Sequence, residues 1–283
     1  MAAQSTEPKN SYKDLSSDCE SCFGLCCVAL PFAKSADFAI DKSSGAPCPN
    51  LQDDYRCRTH EALREKGFKG CTVYECFGAG QKVSQLTYAG RDWRKNPEMA
   101  TEMFEVFPVM QQLHEMLLYL TEALSLKETL PLKDELQSAL DSIKLLTLLE
   151  AKSIINLDVH AHRSMVSELL NKSSELYRKN VPYNRSPKVM SKLKRSSDFI
   201  GASLKGEDLR GASLRGALLI AVNLQNADLR KCDLLGADLR DANICGADLR
   251  GCLFLTQAQV NASMGNLSTK LPPPLKIPAH WSR

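Results

Sequence analysis

Aromatic residues make up only 6% of this 283-residue chain, so any core must be mainly aliphatic. Charge of one sign is also scarce. The formal net charge is +3, too small to argue for a nucleic-acid partner. The first fifteen residues, MAAQSTEPKNSYKDL, contain no apolar segment of the secretory kind. No uninterrupted apolar run approaches the ~20 residues that span a bilayer. These absences predict a cytoplasmic chain without a membrane partner, in a compartment where thiols stay reduced. Catalytic signatures are missing as well: there is no G-x-S-x-G, H-E-x-x-H or phosphate-loop pattern. Gly78 and Gly80 in FGAGQ form a lone G-x-G, which reads as a turn. Enzymatic activity is therefore not assigned, and any catalysis would have to sit at a bound metal.

Cysteine, by contrast, is abundant and uneven. Eight of the eleven cysteines fall in the first 76 residues: Cys19, Cys22, Cys26, Cys27, Cys48, Cys57, Cys71 and Cys76. The run DCESCFGLCC opens with C-x2-C, a spacing that lets two thiolates turn toward one ion. Gly24 permits a tight backbone inside the cluster. Neighbouring Cys26 and Cys27 do not readily point the same way, so one binds while the other faces a second ion or the core. His60 follows Cys57 by three residues and is a weaker ligand candidate. Eight thiols suffice for two four-ligand sites. Buried free cysteines or a disulfide-stapled module are the alternatives, the latter disfavoured without an export signal.

The stretch CESCFGLCC, with Cys48 and Leu51 in PCPNLQDDYRC and Cys71 and Cys76 in GCTVYEC, resembles the bacterial cysteine-cluster proteins described as putative zinc- or iron-chelating. The resemblance spans roughly residues 18–80 and lacks that family's usual arginine–proline pair between Cys57 and Cys71. It implies metal binding. Thiolates suit zinc or an iron–sulfur cluster, with zinc preferred because histidine lies nearby.

The middle of the chain is predicted to be helical. Asn96 and Pro97 mark a start, and Met99, Met103, Val106, Met110, Leu113, Leu117, Leu120 and Leu124 recur in steps of four and three. Pro108 should kink or split this helix. A second helix is expected after Pro131 and a third over about 158–179. A bundle is the expectation; a homodimer pairing through the regular seam is the alternative. His114, His160 and His162 are expected at the surface or its boundary. Residues 178–195 carry seven bases and no acid, and the composition reads as a solvated linker.

From Ser197 to Thr256 the sequence repeats every five residues, twelve times. The central position is always apolar, from Phe199, Leu204 and Leu209 through Leu229 to Phe254. Two residues earlier the side chain is usually small, as at Ala202, Ala212 and Cys232. This resembles the pentapeptide-repeat family. That resemblance implies a right-handed quadrilateral β-helix of about three turns, with residues twenty apart stacked. Asp208, Asp228 and Asp248 would then form one outward column and Arg210, Arg230 and Arg250 another, compensating one another across the face. Cys232 and Cys252 would lie inside. Residues after Thr256 read as a short helix and a capping tail.

The expected fold class is thus a multi-domain α+β protein. Its parts are a flexible N-terminus (1–17), a cysteine-rich metal-binding module (18–96), a helical bundle (97–180), a basic linker (181–196), a β-helical solenoid (197–256) and a cap with tail (257–283). The expected function is a cytosolic metal-binding scaffold or adaptor whose repeat surface meets a protein partner. An iron–sulfur redox protein or enzyme is the alternative. DNA mimicry of the kind known among gyrase-binding relatives is disfavoured, because eight acids and seven bases between 197 and 256 nearly cancel.

Overall fold

The computed structural model describes residues 14–185, 187–195 and 197–282. Most of the N-terminal segment expected to be flexible, residues 1–13, lies outside them. The chain divides into two compact units, Met1–Cys71 with Glu75–Leu170, and Thr72–Tyr74 with Asn171–Arg283.

The first unit begins with loops around a short helix, α1 (Leu25–Ala29), and continues into α2 (Ala100–Ser125), α3 (Lys133–Leu146) and α4 (Ala151–Ile155). Helix α2 runs through Pro108 without splitting. Its seam is buried: Met103, Val106, Met110, Leu113 and Leu120 are fully enclosed. The seam meets α3 and α4 of its own unit, where Leu136, Ile143 and Ile154 are equally enclosed. His114, expected near the surface, is 5% exposed instead. Its ring sits on the buried side of α2, where Nδ1 donates to the Phe77 carbonyl at 2.7 Å. Helix α5 (Val159–Arg178) carries the chain from the first unit into the second.

The segment taken for a solvated linker contains a nine-residue helix, α6 (Pro187–Arg195). Its Val189 is 2% exposed and belongs to the repeat core. Proline opens this helix, where its missing N–H costs nothing.

The expected quadrilateral β-helix is corrected by the structure. Among the described residues there is no β-strand and no sheet, and the regular secondary structure is helical. The repeats form stacked tight turns joined by isolated parallel bridges between residues twenty apart, such as Asp208–Asp228 and Asp228–Asp248. The reason is local. Each repeat closes a turn, as in Ala202 N–H to Phe199 O at 2.9 Å and Ala212 N–H to Leu209 O at 2.9 Å. The third residue of each turn takes positive φ, from Gly201 at 61° to Gly251 at 70°. A left-handed residue every fifth position cuts each extended run to one bridged residue, too short for a strand.

Leu209, Leu229 and Leu249 fill the interior at 0%, 1% and 0% exposure. Cys232 and Cys252 lie inside with them and donate to the Leu209 and Leu229 carbonyls at 2.9 and 3.0 Å. The outward Asp and Arg columns pair as expected. Arg210, Arg230, Arg240 and Arg250 each grip the aspartate two residues earlier through Nε and a terminal nitrogen. Arg210 also reaches Asp228 at 3.6 Å, and Arg230 reaches Asp248 at 3.9 Å, one turn on. Helix α7 (Gln257–Ala262) follows, started by a capping box between Thr256 and Gln259. The Gln259 amide donates to the Leu234 and Ala237 carbonyls at 2.9 and 2.8 Å, satisfying the Ala237 carbonyl at the end of the stack and adding to the turn bond that the Leu234 carbonyl takes from Ala237 N–H.

Candidate metal centre

Local turns place the cysteines. Asp18 caps a short 3-10 turn, Cys19–Ser21, and accepts from Glu20 N–H at 3.0 Å. Gly24 then takes φ 65°. A Cβ there would stand 2.7 Å from Leu51 Cδ1 and 3.2 Å from the Tyr55 carbonyl, so only glycine fits without displacement. Helix α1 starts at once, putting Cys26 and Cys27 in its first turn with their sulfurs 3.9 Å apart.

Later segments fold back onto this corner. Cys48 N–H donates to the Cys27 carbonyl at 2.9 Å. Leu51 and Cys57 pair as an antiparallel bridge across a turn in which Tyr55 has φ 64°. That turn is held by a run of tilted and edge-on aromatics: Phe23–Tyr55, Tyr55–Trp93 and Trp93–Phe104, with ring centres 5.3, 6.0 and 5.5 Å apart. Cys71 sits on the helical turn Lys69–Thr72. Cys76 Sγ lies 3.0 Å from Ser17 Oγ. A Cβ on Gly80 would fall 2.7 Å from Cys22 Sγ and 3.8 Å from Cys76 Sγ, so both sulfurs face the same bare stretch of backbone. The G-x-G read as a simple turn therefore has a packing role against two thiols.

Burial and neighbouring thiols set the electrostatics of this corner. Burial raises the Cys19 thiol, helped by the charges of Cys76 and Cys27, and pushes Cys22 up to about 11, again with Cys76. Cys26 is raised by its hydrogen bond with Cys27 and by burial, and also feels Cys22 and Cys19. Burial raises Cys48, which feels Cys27 and Cys57. Burial pushes Cys71 up to about 12, with Cys27, Cys48 and Cys57 adding to it. Cys27 alone is lowered, by the Cys26 hydrogen bond and by the charge of Lys42. Cys26 and Cys27 thus lie between the early thiols Cys19 and Cys22 and the later ones Cys48 and Cys71, with Cys27 felt on both sides.

All eleven cysteines are free thiols, so no disulfide competes for them. Among the described residues, no three His, Cys, Asp or Glu side chains are already arranged to hold an ion. His60 is exposed at the start of a 3-10 turn, His60–Ala62. Lys42 was not singled out by sequence reasoning, since an isolated lysine in a loop carries no signal. It is 7% exposed. Its ammonium donates to the Val28, Ser43 and Ala46 carbonyls at 3.0, 3.1 and 3.0 Å.

Comparison with known proteins fits the repeat architecture. A model of the family described as pentapeptide repeats matches residues 217–254 with eight copies. Over 281 residues the chain is 63% identical to the uncharacterized protein YybG of Bacillus subtilis (strain 168), covering 99% of this chain and 100% of that one. The chain belongs to the same protein family as YybG. Among solved structures, the pentapeptide repeat protein alr5209 from Nostoc PCC 7120 is 26% identical, covering 32% of this chain and 88% of its own, with a TM-score of 0.17. The pentapeptide repeat protein AT2G44920 from the Arabidopsis thaliana thylakoid lumen is 23% identical, covering 29% and 66%, with a TM-score of 0.15. The family match lies outside the cysteine segment. Among the described residues no helix is long and apolar enough to cross a membrane.

Proposed function

We propose that this chain is a cytosolic metal-binding scaffold, in which a thiolate module holds two ions and the repeat unit offers its outer faces to a protein partner. The observation that carries this reading is the gathering of eight free thiols in the first 76 residues, with the Cys26 and Cys27 sulfurs 3.9 Å apart, Cys48 bonded through its backbone to Cys27, and the Cys22 and Cys76 sulfurs facing Gly80 together. The donor chemistry fits zinc or an iron–sulfur cluster: eight soft sulfur donors, enough for two four-ligand sites, none of them in a disulfide. Closing these thiols around an ion requires side chains to turn inward, which the exposed thiols Cys19 and Cys71 can do. Bound zinc would act as a structural cross-link, joining loops too poor in apolar residues to offset their own ordering entropy.

Two features bear on the alternatives. Arginines neutralise the outward aspartates of the repeat unit, which counts against DNA mimicry. All-sulfur donor sets keep the iron–sulfur version open beside zinc. The test is elemental analysis with an absorption spectrum on anaerobically purified full-length protein. Two zinc ions per chain in a colourless sample support the structural reading; a brown sample that bleaches in air supports the cluster. A folded, metal-free protein whose eight N-terminal thiols all react with a thiol reagent overturns both.

A further inference from the structure

The formal charge of +3 averages two opposites. The first unit holds eighteen lysines and arginines against twenty-four carboxylates, a net of −6, whereas the second holds eighteen against nine, a net of +9. The repeats do not carry that excess. Their Asp208, Asp228, Asp238 and Asp248 are each gripped by the arginine two residues on, and the twelve repeats together sum to −1. The excess sits just before them: residues 171–196 contain eight bases and one acid, Glu175. Part of that charge is tied down. Arg178 donates to the Gly211 carbonyl at 3.1 Å, and Arg185 donates to the Leu209 and Arg210 carbonyls. The remainder lies at Lys172, at the exposed Lys179 and on α6, where positions 188, 192 and 195, spaced four and three apart, share one face. Val189 and Leu193 commit a neighbouring face of α6 to the repeat core.

We propose that this segment is a binding site for single-stranded nucleic acid, in which the bases of α6 meet phosphates and Tyr183 stacks on a nucleobase. This proposal is independent of the metal-binding reading above. Charge asks for a polyanion, and the structure selects among polyanions. An amphipathic helix enters an anionic membrane by its apolar face, and the apolar face of α6 is already spent on the repeat core. An acidic peptide matches the charge but makes no use of a bare ring. Tyr183 presents one: it is 51% exposed, and the guanidinium carbon of Arg185 lies 3.9 Å from its centre. Carbonyl bonds hold that guanidinium in place, so the ring is braced on one face and offers the other to a base. Glu207, Asp208 and Asp228 share an open hollow with Asn184 and Arg185 and repel phosphates from it, which leaves the phosphate contacts to α6 and Lys179. Neither phosphates nor a stacking ring read sequence, so binding should tolerate any base order.

The experiment is fluorescence anisotropy of labelled single strands of mixed sequence, about twenty nucleotides long, titrated with the full-length protein between about 50 and 200 mM salt. In wild type the logarithm of the affinity should fall linearly with the logarithm of salt, with a slope of about −2 to −3.5, the value for three to five neutralised phosphates of a single strand. Replacing Lys188, Lys192 and Arg195 together by glutamine should make that slope shallower by about 2. Tyr183→Ala should weaken binding roughly 5- to 100-fold at unchanged slope, and Tyr183→Phe should match wild type. Val189 and Leu193 are intact in every variant, so the urea midpoint read at Trp281 should not move; if the triple variant moves it, the Tyr183 pair decides alone. Absence of binding at the lowest salt overturns the proposal, as does a Tyr183→Ala variant that binds like wild type. Equal affinity for duplex DNA or for polyglutamate also overturns it, since charge alone would then be read. Retention on phosphatidylglycerol vesicles without binding to the strands would make the partner a membrane surface and overturn it too.

Discussion

Truncating Leu229 to alanine should be among the costliest single changes in the second unit. The side chain is 1% exposed, and its neighbours one turn away, Leu209 and Leu249, are both fully enclosed. Removing buried leucine atoms forfeits their transfer free energy and leaves a hole whose cost depends on how far the walls relax. Here the walls are pinned. Leu229 N–H is bonded to the Asp248 carbonyl at 2.9 Å and Leu209 N–H to the Asp228 carbonyl at 2.8 Å, so neighbouring turns cannot close in without breaking bridges. The cost should therefore fall at ~3–5 kcal/mol, the upper part of the range for leucine-to-alanine changes. With a urea m-value of roughly 2 kcal/mol per molar, the unfolding midpoint should drop by about 2 M. The chain has two tryptophans. Trp281 is 6% exposed and packs on this core, while Trp93 belongs to the other unit. Urea titration of Trp281 fluorescence in a Trp93→Phe background reads the second unit alone. Leu218, 40% exposed, provides the control, and its alanine variant should shift the midpoint by no more than about a quarter molar. Equal midpoints for the two variants would refute the pinned-core argument.

Three further outcomes are expected. Gly246→Ala should destabilise the second unit more than Gly206→Ala: both glycines have positive φ, 68° and 67°, but a Cβ at 246 meets Asn226 Oδ1 at 2.2 Å while one at 206 meets nothing within 4 Å. Equal losses in the same titration would show that backbone strain alone decides. His114 has its pKa lowered to about 4 by burial, so the unfolded chain takes up the proton first. Stability of the first unit should fall between pH 6.5 and about 4, by on the order of 2–3 kcal/mol, and His114→Gln should flatten that slope in pH-dependent unfolding followed at Trp93; a slope unchanged by the variant would count against it. Metal removal by chelation should expose Trp93 and leave Trp281 buried, because the repeat core is aliphatic; loss of both fluorescence signals together would contradict separate sources of stability.

How much of this was legible beforehand depends on where the information sits. The interior of the repeat unit could be read directly, because one apolar residue in five marks the inside and the partners of Leu229 lie one fixed interval away. The secondary structure could not. A five-residue period does not state whether the extended part of each repeat is long enough for a strand, and the left-handed third residue decides that it is not. At positions such as Lys231 and Asp241 that residue is not even glycine, with φ of 58° and 56°. Helix α6 was hidden by composition: its bases suggested a solvated connector, whereas Val189 gives it one inward anchor. Cysteine spacing exposed the eight candidate ligands but not the folding-back of the Cys48 segment onto Cys27, which rests on a backbone hydrogen bond. Lys42 was invisible, since three carbonyls from a folded loop make it what it is.

The twenty-residue interval between bridged partners also sets how this unit can change length in evolution. Losing five residues would keep every leucine inward, since the period of the interior is preserved. Each Asp–Arg pair beyond the cut would move round by one side, though, and arrive under a different neighbour. Asp228 would lose Arg210 as its cross-turn partner, and Gln259 would meet carbonyls from the wrong corner. Losing twenty residues restores every vertical relationship at once. Length variants that keep both the charged columns and the α7 closure should therefore differ by multiples of twenty residues, whereas relatives differing by five must carry rewritten columns.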